Sequence, residues 1–162
     1  MYPVIFDTPA GTLAIGAYRG KLMLCDWINS RHYNSHVNQL QNFDLDRDYT
    51  INVISQIKEY FAGNRKYFDV NVAPIGTNFR LKVWTELAGI SYGTTASYSD
   101  IAEKIGNKSA ARSVANAISQ NPISIIIPCH RIIGSAGTLN GYAGGLEAKK
   151  ILLKIENPAF RV

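Results

Sequence analysis

Cysteine is nearly missing from this chain, with two, Cys25 and Cys129, in 162 residues. Met1-Tyr2-Pro3-Val4 also lacks the basic-then-apolar pattern of a signal peptide. No disulfide framework is therefore expected, and free thiols point to a reducing compartment: the cytoplasm, or the nucleus in a eukaryote. No apolar run approaches the ~20 residues that span a bilayer, which argues against a membrane segment. Histidine is scarce, at three. Cys25, His32 and His36 lie close in sequence, but a structural zinc site wants four ligands, usually with paired cysteines. They read as a buried cysteine and two solvated histidines, with no metal. The absence of a Cys-x-x-Cys pair disfavours a thiol oxidoreductase. A cysteine hydrolase is disfavoured too, since no separate histidine partner lies outside a polar loop.

What is present suits a folded protein. Hydrophobic residues make up 46% of the chain, enough for one substantial core or two small ones. Charge is unevenly placed: residues 1–76 carry seven Lys/Arg and seven Asp/Glu, whereas residues 77–162 carry ten and five. The whole net charge of +5 thus lies in the second half, which favours a polyanion there.

Short strands open the chain at Val4-Ile5-Phe6, Thr12 to Ile15 and Leu22 to Trp27, separated by turn-like segments, so an antiparallel meander is expected. Residues 28–48 are polar, Asn-rich and without period. Ile51, Ile54, Ile57 and Phe61 then recur at helical spacing until Gly63-Asn64. Phe68, Val70 and Val72 alternate as a strand, and Ala73-Pro74-Ile75-Gly76 reads as a linker. Beyond it, Thr77 caps a helix over Asn78 to Ala88 with Phe79, Val83, Trp84 and Leu87 on one face. Ser97, with Asp100 three residues on, starts a helix through Ile105 that ends at Gly106-Asn107. Another runs from Ala110 to Ser119, giving the outline of a helix-turn-helix. Val114, Ala117 and Ile118 mark its core face, while Ala111, Arg112, Ala115 and Asn116 make an outer face that is smooth apart from Arg112. A last helix spans about Leu146 to Glu156.

The chemistry concentrates at Ile125-Ile126-Ile127-Pro128-Cys129-His130-Arg131. The β-branched run from Ile123 to Ile127 reads as a strand buried on both faces, and Pro128 ends it, leaving Cys129 at the strand's end. A cysteine attacks as thiolate, which a proton acceptor and cations favour; His130 and Arg131 supply such groups within two residues. Neighbours on a strand point to opposite faces, so Cys129 and His130 cooperate only in a turn or through water.

Pro128-Cys129-His130-Arg131, within Asn121-Pro122-x5-Pro-Cys-His-Arg-Ile-Ile-Gly, resembles the active-site signature of the O6-alkylguanine-DNA alkyltransferases, the methylated-DNA-protein-cysteine methyltransferases. The resemblance extends upstream through Gly76-Thr77-x-Phe79, Val83-Trp84-x-x-Leu87, Tyr92-Gly93-x-Thr95-x-Ser97-Tyr98-x-x-Ile101-Ala102 and Ala110-Ala111-Arg112-Ser113-Val114. Downstream it includes Gly141-Tyr142-Ala143-Gly144-Gly145-Leu146, Lys149, Leu152-Leu153 and Glu156. It covers essentially all of residues 76–156.

The resemblance implies an α/β protein with a small ribonuclease H-like N-terminal domain (residues 1–76) and a helical, winged helix-turn-helix-like C-terminal domain (residues 77–162). It implies irreversible transfer of one alkyl group from O6-alkylguanine in duplex DNA to Cys129, with O4-alkylthymine left open as a further substrate. Glu156 would orient His130, His130 would take the Cys129 proton through water, Asn121 would link the two sites, and Tyr98 would hydrogen-bond the base. Ala111, Arg112, Ser113, Ala115 and Asn116 would meet the minor groove, with Arg112 replacing the everted nucleotide. Tyr142, Ala143 and Gly144 would wrap the base. Relatives commonly carry Ala-Val-Gly at Ser113-Val114-Ala115, often Gly at Asn116, and Ser at Ala143. No cofactor is implied, and a monomer acting on double-stranded DNA is expected. The alternative is a binding module for alkylated DNA that repairs nothing; such relatives lack the cysteine that stands here as Cys129. Transfer would be final, because no second cysteine lies nearby to resolve the product.

Overall fold

Two tight turns fold the first 27 residues into an antiparallel sheet of order β1-β2-β3: β1 (Val4–Thr8), β2 (Gly11–Tyr18) and β3 (Lys21–Trp27). The β2–β3 turn puts φ at 50° for Arg19 and 71° for Gly20, a left-handed pair whose twist matches that of the strands it joins. The computed structural model describes residues 2–161. Met1, the first residue of the N-terminal segment read above, lies outside them, as does Val162, last of the C-terminal segment.

Both faces of β2 and β3 are covered. Leu13, Ile15, Cys25 and Trp27 enter the main core, while Ala14 and Leu24 turn to a smaller cluster with Leu40 and Leu45. That alternation is the two-residue period of a strand. The polar segment after β3 carries one short helix, α1 (Tyr33–Asn38), followed by α2 (Arg47–Phe61). Asp46 caps α2 by accepting the Tyr49 N–H at 3.0 Å, so the helix starts at Arg47, four residues before Ile51 opens its apolar period. Its buried stripe is Thr50, Val53, Gln56, Ile57 and Tyr60. Ile51, expected on that face, is 51% exposed.

The strand expected over Phe68 to Val72 does not form. Only a single parallel bridge, Leu22 to Val72, is made, with hydrogen bonds of 2.7 Å on either side of Leu22. The second half supplies α3 (Asn78–Ala88), α4 (Tyr98–Lys104), α5 (Ala111–Ser119) and α6 (Leu146–Glu156). Thr77 caps α3, and Ser97 and Asp100 close a reciprocal capping box on α4. Val83, Trp84 and Leu87 bury the inner face of α3, whereas Phe79, expected with them, is 38% exposed. Trp84 donates its ring N–H to the Ala117 carbonyl at 2.8 Å and so ties α3 to the middle of α5.

Among the described residues the result is a mixed α/β architecture of one three-stranded antiparallel sheet and six α-helices. One buried cluster runs through both halves, from Leu13 on β2 to Leu152 on α6. Among the described residues no helix is long and apolar enough to cross a membrane.

Candidate active site

The Ile123 to Ile127 segment is not the strand its composition suggests. Ile123 makes one parallel bridge to Cys25, and the chain then coils into a tight turn, with Ile126 N–H on the Ser124 carbonyl at 2.9 Å and Ile125 at φ 72°. The isoleucines are apolar because they are buried, with Ile123, Ile125 and Ile127 all at 2% exposure or less. Asn121 takes the hydrogen bonds a ladder would have used. Its Oδ1 accepts the Ile123 N–H at 3.0 Å, and its Nδ2 donates to the Ile127 carbonyl at 2.9 Å.

Pro128 leads into a 3-10 turn over Cys129–Arg131, so Cys129 and His130 lie on a turn rather than on opposite faces of a strand. His130 is fully buried, and its Nε2 lies 2.6 Å from Glu156 Oε2. Burial lowers the basicity of the ring, and the bond to Glu156 only partly offsets that. The neutral ring therefore donates its Nε2–H to the carboxylate, and Nδ1 is left buried without a hydrogen-bond partner among the described residues.

Glu156 is the hub. It accepts from Tyr60 Oη at 2.6 Å, from Arg131 Nε at 2.7 Å and Nη2 at 3.1 Å, and from the Gly93 N–H at 3.3 Å. Burial alone would raise its pKa. The hydrogen bonds donated by His130, Arg131 and Tyr60 outweigh burial and hold the carboxyl well below its ordinary range. Arg131 is therefore not the cation for the thiol, as its place in the sequence suggested. It pairs with Glu156 and donates to the Ile90 carbonyl at 2.6 Å.

Burial pushes the Cys129 thiol up to about 11; the Asn121 amide and the Lys149 charge pull the other way, and Asp26 adds to the rise. Lys149 has 0% exposure and, among the described residues, reaches only the Asn140 carbonyl, at 3.3 Å. Its own pKa is lowered to about 8 by burial, against a raising effect of Cys129. The expectation that no second thiol lies near is also corrected. Cys25, held on β3 against Ile123, is close enough for the Cys129 charge to add to the burial that raises its pKa.

Cys129 opens onto a cavity of about 330 Å³ walled by Tyr98, Ala115, Ile118, Tyr142 and Ala143, with Ser30, Arg31 and His32 at its N-terminal side. Tyr142 accepts the Trp27 ring N–H at 3.1 Å. Gly144 does not line this cavity; a Cβ there would lie 2.8 Å from the Trp27 ring, so it is the point where the loop packs onto β3. On the outer face of α5, Arg112, Ser113 and Asn116 are exposed and Ala111 and Ala115 half-buried. Arg112, Ser113 and Asn116 border a second hollow with Phe79 and Arg80.

His36, expected in solvent, is buried at 6% exposure, with Nδ1 2.7 Å from Asp26 Oδ2. Sequence reasoning missed Tyr60, Trp27 and this pair, and noted Lys149 without a role. Only a buried-lysine position within an otherwise amphipathic α6 hinted at any of them.

Residues 78–158 match the family model described as 6-O-methylguanine DNA methyltransferase, DNA binding domain. A methylated-DNA–protein-cysteine methyltransferase of Methanosarcina acetivorans is 40% identical over 156 residues, covering 96% of this chain and 98% of the relative. The inducible enzyme of that name from Bacillus subtilis is 50% identical over 156 residues, covering 96% and 84%. The crystal structure of Mycobacterium tuberculosis OGT in complex with DNA superposes with a TM-score of 0.86 at 35% identity, covering 98% of this chain and 94% of that one. By sequence along nearly its whole length and by fold, this chain belongs to the methylated-DNA–protein-cysteine methyltransferase family.

Proposed function

We propose that this protein repairs alkylated DNA directly, moving the alkyl group of an O6-alkylguanine in duplex DNA onto the sulfur of Cys129. The observation that carries the reading is the orientation of His130. With its Nε2 proton committed to Glu156, its bare Nδ1 is a proton acceptor one residue from the thiol that opens on the cavity. The cavity volume is in the range that holds a small ligand.

In the reaction, His130 takes the thiol proton through a water and the thiolate attacks the alkyl carbon. The sulfur–carbon bond forms as the carbon–O6 bond breaks, and the electron pair of the broken bond stays with the base. Tyr98, beside the cavity, donates a hydrogen bond near N3 and eases departure of the guanine. Asn121 and Lys149 favour the thiolate, while Tyr142, Ala143 and the Gly144 loop enclose the base.

Stacking hides the alkyl group from a buried thiol, so the nucleotide leaves the duplex first, at a cost of a few kcal/mol. Residues 77–162 act as a winged helix-turn-helix-like domain that lays α5 in the minor groove. The small outer face of Ala111, Ser113, Ala115 and Asn116 permits close approach, and Arg112 fills the gap. Residues 1–76 form a ribonuclease H-like domain that buttresses the site. The protein acts as a monomer in a reducing compartment such as the cytoplasm.

Intact mass after incubation with an O6-methylguanine duplex tests this. One methyl on the Cys129 peptide is expected, and none with Cys129→Ser, which should still bind the duplex. Binding without any mass increase in the wild type would make it a recognition module instead.

A further inference from the structure

Asp26 is fully buried on β3, a charged residue beside two members of the core, Cys25 and Trp27. Its Oδ1 accepts the Trp27 N–H at 2.9 Å, and its Oδ2 lies 2.7 Å from His36 Nδ1. The other nitrogen of that ring, Nε2, lies 3.1 Å from the Gln120 carbonyl. A carboxylate and a carbonyl both accept, so each ring nitrogen of His36 is placed to donate. Gln120 is the C-terminal cap of α5, where a helix leaves carbonyls without partners and favours positive charge. The other imidazole facing His36 is His32, with ring centroids 6.0 Å apart; burial and the Arg31 charge lower its pKa.

The residue after Gln120 is Asn121, whose amide shapes the turn before Cys129 and favours its thiolate. β3 holds the same stretch by its backbone, with the Cys25 N–H on the Pro122 carbonyl at 2.9 Å and the Ser124 N–H on the Cys25 carbonyl at 2.7 Å. We propose that Asp26 and His36 are a positioning pair for alkyl transfer: from the N-terminal half they grip the carbonyl end of α5 and thereby hold Asn121 in place against Cys129. Neither residue touches the substrate. The inference rests on the transfer to Cys129 proposed above.

His36→Gln, Asp26→Asn and the double variant test it, with rates scored per molecule able to accept an alkyl group, so that misfolded protein drops out. Each single variant should slow transfer about tenfold both from a saturating O6-methylguanine duplex and from free O6-benzylguanine, because Asn121 serves both. Affinity for undamaged duplex should change by less than about twofold, since the outer face of α5 is untouched. A pair acting as one unit is non-additive, so the double variant should be no slower than the slower single. Unchanged rates in both singles, or multiplied losses in the double, would overturn the pair. The 15N spectrum of the wild-type His36 ring should show both nitrogens engaged in hydrogen bonds, and a ring nitrogen without one would overturn the pair even if a variant fails to fold. If the wild type transfers nothing to Cys129, the proposed function fails, while the ring spectrum still decides the Asp26–His36 pair.

Discussion

Glu156 keeps a charge inside the protein only because donors from three places in the chain converge on it: Tyr60, Gly93 and the adjacent His130 and Arg131. Removing that charge while leaving its partners buried is expected to be severe. Glu156→Gln should destabilise by about 3–5 kcal/mol at neutral pH, because Arg131 loses its counter-ion. The acid limb follows from the same groups. Glu156 is held below its ordinary 4.5, so its contribution is complete above that value and is lost as pH falls toward the depressed folded one. His130 is lowered below 6.5 by burial, so the unfolded chain takes up its proton first, and stability falls as pH drops below 6.5. The melting temperature should be flat between about pH 6.5 and about pH 7.5 and decline steadily below that window toward about pH 4. Glu156→Gln should flatten the lower part of that decline; an unchanged slope would place the acid sensitivity elsewhere. Lys149 offers a second residue-scale test. It is a buried cation that donates to the Asn140 carbonyl and whose charge lowers the Cys129 thiol. Lys149→Met should raise that thiol further and move the rise of transfer rate with free O6-benzylguanine upward by about one pH unit, roughly tenfold in rate at a fixed pH below it. An unshifted profile would remove Lys149 from thiolate stabilisation.

Among the elements, α5 carries the distinction between binding DNA and doing chemistry. Its inner side is locked by Val114, Ala117 and Ile118 and by the Trp84 bond, whereas Arg112 stands exposed, with no ion pair or hydrogen bond among the described residues. Arg112→Ala should therefore slow repair of duplex DNA by tenfold or more, about the effect of losing a group that holds an unstacked site open, and leave reaction with free O6-benzylguanine nearly unchanged. Equal losses on both substrates would make Arg112 a structural residue. The helices were legible in the sequence because their signals are local: Thr77 before α3, Ser97 with Asp100 on α4, and the apolar period of α6 ending at Glu156. The Ile123 to Ile127 segment misled because burial and strand formation select the same β-branched residues. What distinguishes them is Asn121, whose side chain satisfies the backbone within a turn, and no periodicity reports that. Cys129, His130 and Glu156 were found through a motif. Tyr60 stands 96 positions from Glu156, and Trp27 stands 115 from Tyr142, so those contacts come only from the folded chain.

At the scale of the whole molecule, the reacting atom belongs to the core. Cys129 is 5% exposed and shares one buried cluster with Cys25, Ile123 and Leu152, so the chemistry and the packing cannot be separated. Transfer turns the thiol into a thioether, whose carbon–sulfur bond has no good leaving group. The proximity of Cys25 does not alter this: thiol–disulfide exchange resolves a disulfide, not a thioether, and burial holds Cys25 as the neutral thiol. The added methyl must also be housed among close-packed atoms, where an extra methylene costs about 1–3 kcal/mol. With excess O6-methylguanine duplex, the yield should stop at one alkyl group per protein, carried on the Cys129 peptide. The product should melt several degrees lower, as a loss of about 1 kcal/mol predicts for a chain of this size. Because the net positive charge lies in the second half, affinity for duplex should fall as salt rises. Turnover beyond one equivalent, an alkyl group on Cys25, or a product as stable as the free protein would each contradict a reaction centre built into the core.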